Sequence, residues 1–263
     1  MMDGIYLDNN YPSFDLDMQK DGKVAYLRED GFIQPGSHIL IVRDFFKRLA
    51  VLGHKYNKRY PRVVLHTTAA QYLPRYTFCD VGYGGEMNIP KDGDHFQVFY
   101  SAWPEIMLGV DWGIGRGMLT MLHMNKLTAT PRATRAMYAA YKIYDMGLWS
   151  TATHSKTHAL FQKIEQNFKN NAPDCKFVMW RYNTLMKFEK PDNLIRCSYF
   201  ERPGKYLFYL ANHSKTDRKI TFTLGKQGVL TDAETGKVIE PVNGKYTLDV
   251  KTHDLRVLLL KTK

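Results

Sequence analysis

Cysteine is scarce in this chain. There are three in 263 residues, Cys79, Cys175 and Cys197, an odd number at wide and unpatterned spacings. That excludes a disulfide framework and a zinc motif, and leaves buried thiols as the expectation. Long apolar runs are also missing: those present are short, such as Val257-Leu258-Leu259-Leu260, so no membrane span is expected. The start, Met1-Met2-Asp3-Gly4-Ile5-Tyr6-Leu7-Asp8, has neither a basic n-region nor an apolar h-region, so no signal peptide is read there. Gly82-Tyr83-Gly84-Gly85 lacks the Lys-Ser/Thr ending of a phosphate loop, and Gly113-Ile114-Gly115-Arg116-Gly117 lacks a full dinucleotide fingerprint. No G-x-S-x-G nucleophile elbow occurs. His154 and His158 have an i, i+4 spacing, but no Glu completes a zincin pattern, so the pair reads as a solvent-facing helix start. Neither a metal nor a cofactor is expected.

What is present is the composition of a folded protein, 44% hydrophobic and 24% charged, with a formal net charge of +11. The charge is unevenly placed. Residues 1–150 hold 17 Lys and Arg against 15 Asp and Glu, whereas residues 151–263 hold 20 against 11. The excess is spread over candidate strands, with Arg218-Lys219 its densest point, and no basic stripe or reading motif accompanies it. Nucleic acid is therefore not an expected partner, and a solvated basic surface, compatible with acidic glycans, is.

Two kinds of sequence meet near residue 150. Before it, strands alternate with polar or glycine-rich loops and helices, as in parallel βαβ units. The expected strands are Gly4–Leu7, 62–65, 77–81 and 118–123, with 106–110 a weaker candidate. A helix is expected over 38–55, N-capped by Ser37, with Ile39, Val42, Phe46, Leu49 and Leu52 on one face. A second is expected over 132–146, with Thr130 as N-cap and Pro131 at its first position. From about residue 176, short β-runs follow at 176–182, 194–200, 205–211, 218–224, 228–232, 245–250 and 255–261. Turn signals separate them, among them Arg202-Pro203-Gly204 and Glu234-Thr235-Gly236, which is the signature of an antiparallel sandwich. Lys205-Tyr206-Leu207-Phe208-Tyr209-Leu210 is nearly apolar throughout and reads as its central strand.

Chemistry is expected at the ends of the first set of strands. Asp8 stands where an apolar strand opens into a polar loop, which in a parallel barrel is the mouth. A carboxylate there can attack or stabilise an oxocarbenium-like centre; it can equally cap the loop. The segment Cys79-Asp80-Val81-Gly82-Tyr83-Gly84-Gly85-Glu86 supplies Asp80 and Glu86 as partner carboxylates, past a strand expected to end at Val81. Glycosidic cleavage needs two such groups, one held protonated and one ionised. Asp80 can instead be a structural hydrogen-bond acceptor at its strand end. His66 ends the intervening strand and can bind a sugar hydroxyl or serve the core. Asn9, Tyr11, Tyr83, Asp111 and Trp112 complete the candidate substrate-binding set, since aromatic faces suit pyranose rings.

The run Asp3-Gly4-Ile5-Tyr6-Leu7-Asp8-Asn9-Asn10-Tyr11-Pro12 carries a family resemblance. Together with Arg43-Asp44-Phe45-Phe46-Lys47-Arg48, Leu65-His66 and Asp80-Val81 through Gly85-Glu86, it resembles the large bacterial glycoside-hydrolase-like proteins related to glycoside hydrolase family 123. The resemblance implies a fold that is α/β plus all-β: the C-terminal part of a (β/α) TIM-type barrel over 1–172, then a β-sandwich over 173–263. It implies that strand 4–7 is about the fourth of the barrel, that upstream strands are missing, and that relatives are exported. It further implies a glycoside hydrolase, or a non-catalytic carbohydrate-binding remnant of one, whose partner is an oligo- or polysaccharide. A truncated barrel would self-associate or be completed by a partner chain. One departure stands out: Asp8 is followed by Asn9, so the adjacent Asp-Glu pair of substrate-assisted N-acetylhexosaminidases is not carried over.

Overall fold

The computed structural model describes residues 4–7, 14–15, 25–56, 62–66, 77–84, 115–118, 130–148 and 153–262. The chain divides into two compact units, 1–86 with 103–119 and 87–102 with 120–263.

The first unit begins with strand β1 (Gly4–Leu7). The short strands β2 (Phe14–Asp15), β3 (Tyr26–Leu27), β4 (Ile33–Gln34) and β5 (Gly36–Ser37) follow, with β2 paired to β5 and β3 to β4. Then come helix α1 (Ile39–Tyr56) and strands β6 (Arg62–His66), β7 (Val81–Gly84) and β8 (Gly115–Met118). Strands β1, β6, β7 and β8 lie side by side in that order, all parallel, with Leu7 opposite Leu65 and His66 opposite Tyr83. Residues Val42, Phe46 and Leu49 recur at helical spacing and pack against Leu7, Val63, Leu65, Phe78 and Cys79. Leu52, expected on the same face, is exposed instead, because at 100° per residue it sits well off the centre of that stripe. The N-cap also differs. Ser37 belongs to β5, and the His38 carbonyl accepts the first helical hydrogen bond, from Val42 at 2.9 Å.

The described part of the second unit starts with helix α2 (Pro131–Tyr141), capped as expected: the Thr130 hydroxyl accepts from the Ala133 amide at 3.1 Å, with Pro131 in the first turn. The helix expected to run to 146 tightens into a 3-10 turn over Lys142–Tyr144, and Asp145 closes it in the left-handed conformation. Strand β9 (Gly147–Leu148) and helix α3 (Ser155–Phe168) follow. The remaining strands are β10 (Lys176–Val178), β11 (Met186–Phe188), β12 (Ile195–Arg202), β13 (Lys205–Asn212), β14 (Arg218–Leu224), β15 (Gly228–Asp232), β16 (Tyr246–Val250) and β17 (Asp254–Thr262). They form two antiparallel sheets, β10-β12-β13-β17-β15 and β11-β14-β16. The expected strand 176–182 stops at Val178 and turns into a 3-10 helix, Trp180–Tyr182; β11 was not expected.

Alternation along β13 explains its apolar run. Tyr206, Phe208 and Leu210 enter the core between the sheets, with Ile220, Phe222, Leu258 and Leu260 among their neighbours. Leu207, Tyr209 and Ala211 point the other way and are equally buried, since α2 and the 3-10 turn after it cover that face. Polar contacts fasten the helices. Arg135 of α2 donates to Asp254 at 2.7 Å, to Glu234 at 3.1 Å and to the Leu255 carbonyl at 2.7 Å. Ser198 donates to the Ile143 carbonyl at 2.6 Å, and Tyr209 donates to Glu165 of α3 at 2.8 Å. Glu165 also meets the buried Lys142 ammonium at 3.0 Å. His154 is the N-cap of α3, as a helix start requires, but His158 is buried rather than solvent-facing. Its Nδ1 lies 2.9 Å from the Tyr138 hydroxyl. No disulfide joins the three cysteines; Cys79 and Cys197 are buried and Cys175 is half-buried.

His213, at the end of β13, donates Nε2–H to the Ala139 carbonyl at 2.9 Å. Burial pushes its pKa down to about 3, with the nearby Arg196 charge acting in the same direction. The folded state holds this imidazole neutral while the unfolded chain protonates it near pH 6.5, so stability falls as pH drops below that value. Between pH 7 and pH 5, unfolding in urea should show a loss of about 2 kcal/mol from this group. His213→Gln, which can still donate to Ala139, should show a flatter pH dependence; equal slopes would contradict the assignment.

Candidate functional site

A parallel sheet gathers its carboxyl ends at one edge, and open or closed α/β folds bind ligands there. In the first unit that edge is formed where β1 ends at Leu7, β6 at His66, β7 at Gly84 and β8 at Met118. Asp8 is the next residue in sequence after β1, and Glu86 comes two residues after β7. Asp8, Asn9, Tyr11, Glu86, Asp111 and Trp112 themselves lie outside the described residues.

His66 is described, and it is buried to 2% exposure at the end of β6. Val63 and Leu65 face α1, so alternation turns Val64 and His66 to the opposite face of the sheet. Tyr83 is its partner in register on β7. Tyr6 lies on the same face, one residue before the end of β1, with its ring centre 6.5 Å from that of His66 and the rings tilted by 40°. Tyr6 is not among the residues expected at this edge. The signal was available: Leu7 packs toward the helix, so by alternation Tyr6 must face away.

Asp80 is where the expectation and the structure part. The strand expected to end at Val81 begins there, so Asp80 stands at the amino end of β7, opposite the edge just described. Its carboxylate accepts from the buried Val63 amide at 2.8 Å, while its own amide donates to the Val63 carbonyl at 2.9 Å. This reciprocal pair extends the β6–β7 ladder by one side-chain bond. The physical cause of the displacement is local: Val81-Gly82-Tyr83-Gly84 has weak strand propensity, but glycine admits the close parallel pairing that β6 and β8 supply on either side. Among the described residues no group of His, Cys, Asp and Glu is arranged to hold a metal ion.

No protein-family model matches the chain, and no curated protein matches it in sequence. Solved structures do. A putative α-galactosidase/melibiase from Bacteroides fragilis superposes with a TM-score of 0.54 at 7% identity, over 85% of this chain and 52% of that one. α-Galactosidase I from Mortierella vinacea gives 0.51 at 12% identity, over 84% and 65%. A maltogenic α-amylase from Thermotoga neapolitana gives 0.51 at 8% identity, over 84% and 59%. The chain therefore has a glycoside-hydrolase-like fold, and it spans between half and two-thirds of the length of these neighbours.

The position of Asp80 makes it a structural residue to test. Asp80→Ala should destabilise the first unit by about 1–3 kcal/mol, because the Val63 amide loses its acceptor inside the fold. Asp80→Asn, which keeps an oxygen in place, should cost less. Hydrogen exchange at the Val63 amide reads this directly, and unchanged protection in Asp80→Ala would refute the assignment.

Proposed function

We propose that this chain is a glycoside hydrolase, or derives from one, and that it cleaves a glycosidic bond in an oligo- or polysaccharide. The observation that supports the reading is the parallel order of β1, β6, β7 and β8, whose carboxyl ends share one edge of the sheet, with Asp8 and Glu86 following β1 and β7 in sequence. In this proposal Asp8 acts as nucleophile or charge stabiliser and Glu86 as general acid/base. The acid protonates the leaving oxygen as the bond to the anomeric carbon breaks, and the ionised carboxylate supports the positive charge that develops there. His66, Tyr83, Asn9, Tyr11, Asp111 and Trp112 would position the sugar, with Tyr6 added to that set by its place beside His66. Asp80 has no part in the chemistry. The parallel sheet would belong to a (β/α) barrel, and the kinship to proteins related to glycoside hydrolase family 123 is part of the same proposal.

The alternative is a non-catalytic protein derived from a glycosidase, in which the same edge would hold carbohydrate without turning it over.

The two readings separate in one experiment, a panel of aryl glycosides that includes N-acetylhexosaminides, with wild type beside Glu86→Gln and Asp8→Asn. The catalytic reading expects turnover that falls by about 10²–10⁴-fold when the acid/base is lost. Absence of turnover by folded wild type, with weak glycan binding that survives both substitutions, would replace it with the binding-only reading.

A further inference from the structure

Among the described residues of the second unit, the buried histidines are His158 and His213, and both hold the same helix. His158 of α3 has its Nδ1 2.9 Å from the Tyr138 hydroxyl, and His213, just past β13, donates to the Ala139 carbonyl, also at 2.9 Å. Tyr138 and Ala139 are successive residues of α2. That helix packs on β13, β17 and α3, and every residue from Ala136 to Tyr141 is buried. The attachment of the helical layer to the sandwich therefore runs past two imidazoles.

Neither place suits an imidazolium. The neutral His158 ring can accept from the Tyr138 hydroxyl or donate to it, and its Nε2 is buried with no hydrogen-bond partner. A second ring proton would leave a charged N–H there without an acceptor, which costs more than an unpaired neutral group. Burial holds the His158 pKa below its ordinary value, while Glu165 acts upward and Lys142 downward. Glu165 is already shared between Lys142 at 3.0 Å and the Tyr209 hydroxyl of β13 at 2.8 Å. At His213 burial is again the largest cause, and Arg196 of β12 and His253, just before β17, act in the same direction. The other ionisable groups along this seam are His154, whose ring caps α3, and Arg135 of α2 with its partners Glu234 and Asp254.

We propose that His158 and His213 together form an acid-sensitive latch: their protonation releases the layer of α2 and α3 from β13 and β17 while the two sheets stay packed on each other. The sign follows from the closed state, which holds both rings neutral. Above about pH 6.5 an open layer gains no protons. As pH falls below that value, the open layer takes up protons that the closed one refuses, until the closed state also protonates, for His213 at about 3. The sheets persist because the side chains between them, such as Phe208, Phe222, Leu258 and Leu260, are apolar and carry nothing that titrates. Opening uncovers Leu207, Tyr209 and Ala211 on the other face of β13. The latch lies within the second unit and does not depend on the catalytic reading.

Hydrogen exchange read by mass spectrometry at pH 7 and pH 5, corrected for the intrinsic rate at each pH, tests it. In wild type the protection of α2 and α3 should fall by at least about 25-fold between the two, the share of His213 alone. At pH 5 it should also stay below that of β14 and β16, whose amides open only when the sandwich unfolds. Return to pH 7 should restore it. His158→Gln and His213→Gln should each lessen the fall, and the double variant should nearly abolish it, with far-ultraviolet circular dichroism at pH 7 checking that each is folded. The wild-type comparison of helices with strands needs no substitution, so it decides the matter even where a variant does not fold. One common level of protection for helices and strands at pH 5 would overturn the proposal, because the unit would then open only as a whole. Helix protection that ignores pH, or an undiminished fall in the folded double variant, would overturn it as well.

Discussion

A strand with two buried faces needs a cover on each side, and β13 has both. One set of its side chains, Tyr206, Phe208 and Leu210, fills the space against the three-stranded sheet, and the other set, Leu207, Tyr209 and Ala211, is covered by the helical layer. At about 1.5–3 kcal/mol for each large apolar side chain fully buried, this strand alone anchors three layers. The polar bonds around it follow from the same constraint. Tyr209 cannot be buried without a partner for its hydroxyl, which Glu165 provides; Glu165 in turn needs a cation, which Lys142 provides. The result is that α2 and α3, which the sequence pattern grouped with the barrel half, share a compact unit with the sandwich strands.

The sandwich was legible because its strands alternate and its turns are chemically explicit. Strand β14 falls on the expected residues, and β12, β13, β16 and β17 differ at their ends by one or two. Gly204, Gly236 and Gly244 all adopt positive φ, the conformation for which the turn signals at those places select. Strand β11 escaped because three residues carry too little pattern, and its place is fixed by pairing with β14 far along the chain. His158 was misjudged for a similar reason. Its burial is decided by Tyr138, twenty residues away, which periodicity around 154–158 cannot reveal.

In the first unit the same reasoning located β1, α1 and β6, misplaced β7 and did not anticipate β8; the strand expected over 118–123 beyond residue 118 and the candidate at 106–110 lie outside the described residues. Both of those strands are rich in glycine, and their strand character comes from neighbours in register rather than from side chains. That error mattered, because shifting the start of β7 to Val81 moved Asp80 from the presumed mouth to the other end of the sheet. Asp8 and Glu86 remain as the carboxylates that follow the ends of parallel strands in sequence, and Tyr6 and His66 share one face of the sheet.

The account stands or falls on whether that edge is a carbohydrate site. Epoxyalkyl glycosides carry a sugar that binds and an epoxide that a nearby carboxylate opens, forming an ester whose position peptide mass spectrometry reports. The account expects the sugar-dependent ester on Asp8 or Glu86, suppressed by free oligosaccharide. Labelling confined to Asp80 or to the basic sandwich surface, or labelling that free sugar does not suppress, would contradict it.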